Sequence, residues 1–161
     1  MSITVRHAGV CDLDALAALF DAYRQFYKQV GNIAAARAFL AERIAREQSV
    51  VLVAQQDGAA IGFTQLYPLF SSVRLGRTWL LNDLYVVPAA RRLGTARALL
   101  DAACRFARER GALGLELETG IDNITAQALY RSAGWQLGEN LHFHYDFADH
   151  PAKPHAGKDH P

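Results

Sequence analysis

The chain has 161 residues, half of them apolar, with 17 basic and 16 acidic side chains. That length fits one domain around one buried core. The near-balance of charge removes the usual footprint of a general nucleic-acid or membrane-surface binder. The amino terminus, MSITVRHAGVCD, has no apolar leader core and no small-residue cleavage site, and no apolar run is long enough to span a membrane. A cytoplasmic protein is expected. Cys11 and Cys104 are far apart and fit no redox or metal spacing. Cys104, inside an apolar helical pattern, reads as a buried structural thiol, and no metal is expected.

In chain order, Ile3 to Ala8 alternates as a short strand. Asp12 is placed to cap a helix that carries Leu13, Leu16, Ala17, Phe20, Tyr23 and Tyr27 at helical spacing. Asn32 opens a second helix with Ile33, Ala36, Leu40 and Ile44 on one side. The second strand is SVVLVAQ from Ser49; Asp57-Gly58 turns the chain and AAIGFTQLY returns as the third. A loop, PLFSSVRLGR, leads to a long apolar strand from Thr78 to Val87. Thr95 to Arg110 is a strong amphipathic helix stopped by Gly111. LGLELET is the fifth strand, TAQALYRSAG the last helix, and WQLGE and HFHYDF are closing strands. This order predicts one mixed α/β domain over residues 1–148, with a largely antiparallel central sheet flanked by helices. The crossover through the helix after Val87 makes one central strand pair parallel. From Asp149 the sequence DHPAKPHAGKDHP reads as a solvated tail, although its three histidines leave a metal site conceivable.

The strongest chemical signal is YVVPAARRLGTARALL, from Tyr85 to Leu100. A helix that begins just after a strand aims its unpaired first amides, and the positive end of its dipole, at whatever lies beyond the turn. Gly94 and Ala96 are small where a side chain would hold an anion away, and Arg91, Arg92 and Arg97 add positive charge. The spacing Arg91-x-x-Gly94-x-Ala96 therefore suits a diphosphate, though a plain strand-to-helix turn would look similar. No Gly-Lys-Ser/Thr supports a P-loop, and no second glycine pair supports a dinucleotide fingerprint.

This pattern, after an apolar strand ending Leu84-Tyr85-Val86, resembles the acetyl-CoA signature of the GNAT superfamily of N-acetyltransferases. A second signature of that superfamily follows in the right order: Asn123, Ala126, Leu129 and Tyr130, then Gly134 and Trp135. The resemblance runs from Thr4 to Phe147 and includes Gly62 in the third strand. It implies acetyl-CoA as co-substrate. The amides of Leu93, Gly94, Thr95, Ala96 and Arg97 would hold its pyrophosphate, with Arg91 and Arg92 beside the phosphates. The backbone of Leu84, Tyr85 and Val86 would pair with the pantetheine arm, Asn123 would hydrogen-bond that arm, and Tyr130 would stand near the thioester sulfur. Tyrosine, with a pKa near ~10, can protonate a departing thiolate whose thiol has a pKa of ~8.5. Asp83, a carboxylate in an apolar run, should be paired or functional, because burying an unpaired charge is costly. It is read either as the base, directly or through water, or as a group that positions the amine.

The layout around the fourth strand is similar to the diamine and polyamine acetyltransferases, but Asn82 stands where those enzymes carry the first of two acids. Small monoamines and amino-acid amines therefore remain open beside dications, as does a protein or peptide amine. Tyr23 and Tyr27 are candidate acceptor-pocket residues, together with Asn82 and Asp83. His142 and His144 alternate along one strand face and read as a surface pair more readily than as acceptor ligands. The expected partner is a small-molecule amine, with no nucleic acid and no membrane. A homodimer built on the edge offered by HFHYDF is also expected. The reading from another class is an acetyl-CoA-binding regulatory or interaction module without catalysis, which would not need an acid near the sulfur.

Overall fold

The computed structural model describes residues 2–150. Its elements run β1 (Thr4–His7), α1 (Leu13–Phe26), α2 (Ile33–Ala45), β2 (Val50–Gln56), β3 (Ala59–Ser71), β4 (Gly76–Val86), α3 (Thr95–Glu109), β5 (Leu115–Glu116) and α4 (Ile124–Ser132). The five strands form one sheet in the order β1-β2-β3-β4-β5, antiparallel except for the β4–β5 pair. The mixed, largely antiparallel sheet flanked by helices is thus as predicted, but the parallel pair lies at the sheet edge and not at its centre.

Two-residue alternation in the strands divides the core into two layers. Leu52, Ala54, Leu66, Trp79 and Leu81 meet Leu99, Leu100, Ala103 and Phe106 of α3 on one face. Val51, Val53 and Phe63 meet Leu13, Leu16, Phe20, Ala36 and Leu40 of α1 and α2 on the other. Gly62 sits where β3 and β4 come closest to α3. A Cβ there would stand 2.7 Å from the Tyr85 carbonyl oxygen and 3.4 Å from Leu99, so only glycine keeps this approach.

Asn32 caps α2, its Oδ1 accepting from the Ala35 amide at 3.0 Å. Asp12 behaves differently from the expected cap. Its carboxylate turns back to accept from the Gly9 amide at 2.8 Å and from Arg6 at 2.7 Å, closing the turn before α1. Arg6 and Gly9 hold that carboxyl well below the usual range, at about 2. The expected loop 68–77 is mostly strand, because β3 and β4 extend into a hairpin that turns at residues 72–75. Phe70 and Arg77 face each other across it, with the guanidinium 5.1 Å above the ring.

The expected fifth strand is shortened to Leu115–Glu116, joined to β4 only at Trp79 and Leu80. The expected closing strands are absent: WQLGE and HFHYDF form no strand among the described residues. Alternation supplies a strand's two faces, but a strand also needs an edge to pair with, and this segment pairs with none. The tail histidines His155 and His160 lie outside the described residues.

Candidate active site

Three local irregularities build a cleft on the carboxyl side of β4. The first is the parting of β4 from β5. Beyond Leu80, β4 continues to Val86 while the chain after Glu116 diverges, so one edge of β4 faces open space. The second is a bulge. Gln65 pairs with Asp83 and Leu66 with Leu81, which leaves Asn82 as the extra residue in β4. A bulge of this kind re-aims side chains beside a site. The third is the entry to α3. Pro88 starts a short 3₁₀ turn, Arg92 and Gly94 take positive φ of 62° and 83°, and the helix begins at Thr95.

No side chain caps the amides of that helix start. They open into a cleft of about 560 Å³. Thr95 is spent on the turn itself, its hydroxyl donating to the Ala90 carbonyl at 3.1 Å. Arg91 is held in place by donating Nε to the Val86 carbonyl at 3.0 Å, with its guanidinium 5.9 Å above the Tyr85 ring. Arg92 is exposed, and nothing lies within 4 Å of a Cβ built on Gly94. The geometry is that of an anion seat with free amides, two arginines and no obstructing side chain.

The cleft gathers nearly every residue that the sequence singled out for acetyl-CoA. Leu84, Tyr85, Val86, Arg91, Arg92, Gly94, Thr95, Ala96, Arg97, Asn123 and Tyr130 all line it. Leu93 is the exception and points outward, more than half exposed. Arg97 is partly diverted, bonding Asp101 at 3.0 Å and the Ser132 carbonyl at 3.2 Å, which ties α3 to the end of α4. Asn123 is the cap of α4, its Oδ1 accepting from the Ala126 amide at 3.2 Å. That bond leaves the amide group of Asn123 free to donate. Tyr130 leans on Trp135, with ring centroids 6.4 Å apart. Burial, and then the nearby Tyr27, pushes its hydroxyl pKa up, so it stays protonated through neutral pH.

A second cavity adjoins the first, and Tyr23 and Tyr27 line both. Their rings meet edge to face at 5.0 Å. They are held at the junction by the turn after α1, where buried Asp21 accepts from the Asn32 amide at 2.8 Å and from Arg24 and Gln25. The other walls of this cavity are Leu80, Leu81 and Asn82 of β4, Glu118, Thr119 and Gly120 beyond β5, and His142. Asn82 therefore lines a cavity. His142 lies in this wall, its Nδ1 3.2 Å from Glu118.

Asp83 is not in either wall. It is 3% exposed, behind Asn82 and Tyr23. Its carboxylate accepts from Gln65 Nε2 at 2.6 Å and from Asn82 Nδ2 at 3.0 Å. Burial pushes its pKa above the ordinary carboxylate range, while hydrogen bonds from Gln65, Asn82 and Tyr23 pull partly the other way. Tyr23 in turn is driven up by burial and by the Asp83 charge, and its hydroxyl donates to the Asn82 carbonyl at 3.3 Å. The expected pairing of Asp83 is thus met by Gln65, and its reach to the cavity runs through Tyr23 and Asn82. Glu118 and Gln65 escaped the sequence reading. Glu118 gave no signal inside an alternating strand pattern, and Gln65 required knowledge of the β3–β4 register.

Because Asp83 ionises at a cost, its sign in stability is opposite to that of a paired surface acid. The folded pKa lies above the unfolded one, so wild-type stability falls as pH rises from about 3.9 through the folded value, and is level beyond. Asp83→Asn removes that slope, and Gln65 can turn its unpartnered Oε1 to the new amide. The variant is expected to gain on wild type as pH rises from about 4 in urea unfolding, and then to hold that gain. A gap that narrows with rising pH would contradict a costly buried carboxylate.

The uncapped helix start, the open β4 edge and the adjoining cavity are compatible in one chain with an acyltransferase, and that class is the one its relatives share. Residues 16–135 match the Acetyltransferase (GNAT) family, and the chain belongs to that family of acetyl-CoA-using N-acetyltransferases. It is 43% identical over 151 residues to the N-acetyltransferase YhfO of Bacillus subtilis (strain 168), itself uncharacterized, covering 94% of this chain and 100% of that one. A crystal structure of a probable acetyltransferase superposes with a TM-score of 0.82 at 39% identity, covering 90% of this chain and 96% of that one. An aminoglycoside N(6')-acetyltransferase type 1 of Klebsiella aerogenes is 34% identical over 60% of this chain and 65% of its own length.

Proposed function

We propose that the protein moves the acetyl group of acetyl-CoA to a primary amine of a small molecule by direct attack, with Tyr130 as the acid. The observation that supports this most is the meeting of the two cavities at Tyr23 and Tyr27, with Tyr130 lining the cleft on the acetyl-CoA side. Acetyl-CoA supplies an activated acyl group. In this reading the free amides of Ala96 and Arg97, with Arg91 and Arg92, hold its diphosphate, and the unpaired edge at Leu84 to Val86 takes the pantetheine arm as a further strand.

The amine enters from the cavity walled by Asn82, Glu118 and His142. Its nitrogen forms the new N–C bond as the C–S bond breaks, the Tyr130 hydroxyl gives its proton to the sulfur, and the proton shed by the nitrogen passes to solvent, which reprotonates Tyr130. Asp83 acts as a positioning residue, orienting Tyr23 and Asn82 at the point where the amine must shed a proton. Charge is divided along the path: arginines stand at the phosphate end, and Glu118 is the carboxylate facing the acceptor end. That division favours a cationic small molecule, in keeping with an aminoglycoside acetyltransferase among the relatives.

Incubation with acetyl-CoA and an amine panel, read as release of free thiol, tests this reading. Thiol release is expected to depend on the amine and to be faster with a diamine than with a monoamine of equal length. Acetyl-CoA binding without thiol release for any amine would instead point to a binding module.

A further inference from the structure

Residues 135–146 form neither helix nor strand, yet one of them, His142, supplies a wall of the second cavity. Its Nδ1 lies 3.2 Å from the Glu118 carboxylate. Among the described residues, this is the one polar side-chain contact between residues 136–146 and the rest of the domain. The imidazole is therefore held at the cavity by a single partner, with no backbone ladder behind it.

That partner is the single carboxylate in the cavity wall, and no lysine or arginine stands there to compete for it. Thr119, the next residue, lines both cavities together with Tyr23 and Tyr27. Glu118 thus stands one residue from the point where the cavities meet, within reach of the far end of a short molecule whose near end is at the junction. Both side chains of the His142–Glu118 pair are 69% exposed. An exposed pair of this kind contributes little, so Glu118 exchanges one cationic or N–H partner for another at small cost.

We propose that His142 is a specificity-determining residue, occupying Glu118 in the empty site and giving way to the far ammonium of a dicationic acceptor. This rests on the placement of the acceptor amine in the cavity beside Asn82. A monoamine spends its one nitrogen at the junction and leaves the His142–Glu118 pair in place. A diamine puts its second nitrogen on Glu118 and must first displace the imidazole. His142 therefore moderates the preference for dications that Glu118 creates.

Proton NMR on the full-length wild type, at fixed pH and ionic strength, reads the exchange without any variant. Diaminobutane is expected to move the His142 imidazole resonance, and butylamine at equal concentration to leave it in place. His142→Ala is expected to raise the diamine-to-monoamine ratio of kcat/KM about two- to fivefold, the range of one exposed ion pair. Glu118→Gln is expected to lower that ratio by at least as much. His142→Ala added to Glu118→Gln is expected to change the ratio no further, since the imidazole then has no carboxylate to yield. An imidazole moved by both amines alike or by neither overturns the proposal. So does a ratio that His142→Ala leaves unchanged, or a His142→Ala effect that persists without Glu118. A chain whose imidazole answers the diamine alone, but which releases thiol with no amine, would keep the proposal and remove acetyl transfer to small amines.

Discussion

Gly94→Glu leaves a folded protein whose affinity for acetyl-CoA falls by at least roughly a hundredfold, since a like charge set against an anion costs several kcal/mol. Two effects of different size act at this position. Gly94 has φ of 83°, so any side chain strains the turn, at a cost of about 1–2 kcal/mol. The larger effect is the carboxylate placed at the mouth of the amide seat, where nothing within 4 Å obstructs it. Gly94→Asn separates them, because asparagine tolerates the left-handed conformation and adds no charge. Calorimetric titration should show near-wild-type affinity for Gly94→Asn and none measurable for Gly94→Glu. Equal affinity in all three proteins would remove the phosphate assignment.

Tyr130→Phe is expected to lower turnover by roughly one hundredfold to ten thousandfold, the usual contribution of a positioned acid. The ring packs against Trp135, and phenylalanine keeps that packing. Affinity for acetyl-CoA should change by little more than the ~1 kcal/mol of one neutral hydrogen bond. Stability should be nearly unchanged for the same reason. A wild-type turnover number would return Tyr130 to the role of a wall residue and require solvent to supply the proton.

The half of the cleft proposed to take the cofactor drew notice in the sequence because its residues are local. Arg91, Gly94 and Ala96 lie within six residues of one another on a turn, and Asn123 and Tyr130 share one short helix. Periodicity and turn chemistry are enough for such features. The half proposed to take the acceptor depends on partners distant in sequence. Whether Asp83 faces a cavity depends on the extra residue at Asn82, and a bulge is decided by how β3 and β4 settle against each other. Glu118 became a wall only because the chain leaves β4 after Glu116, which shortened the expected strand. The closing strands failed for a related reason. HFHYDF has the alternation of a strand, yet among the described residues no edge pairs with it, and alternation alone supplies no pairing edge.

The parting of β4 from β5 has a consequence for the whole domain. β5 is fastened to β4 by two residue pairs and by the backbone bonds of Leu113 and Gly114 just before it, and α4 packs against the core that α3 shares. A pantetheine arm laid along the free edge of β4 would act as the missing rung, reached from one side by β4 and from the other by Asn123. The protein would then be most complete as a folded object when loaded and would loosen along that seam on release of CoA. Under the proposed function, product departure and relaxation of the fold would become one event.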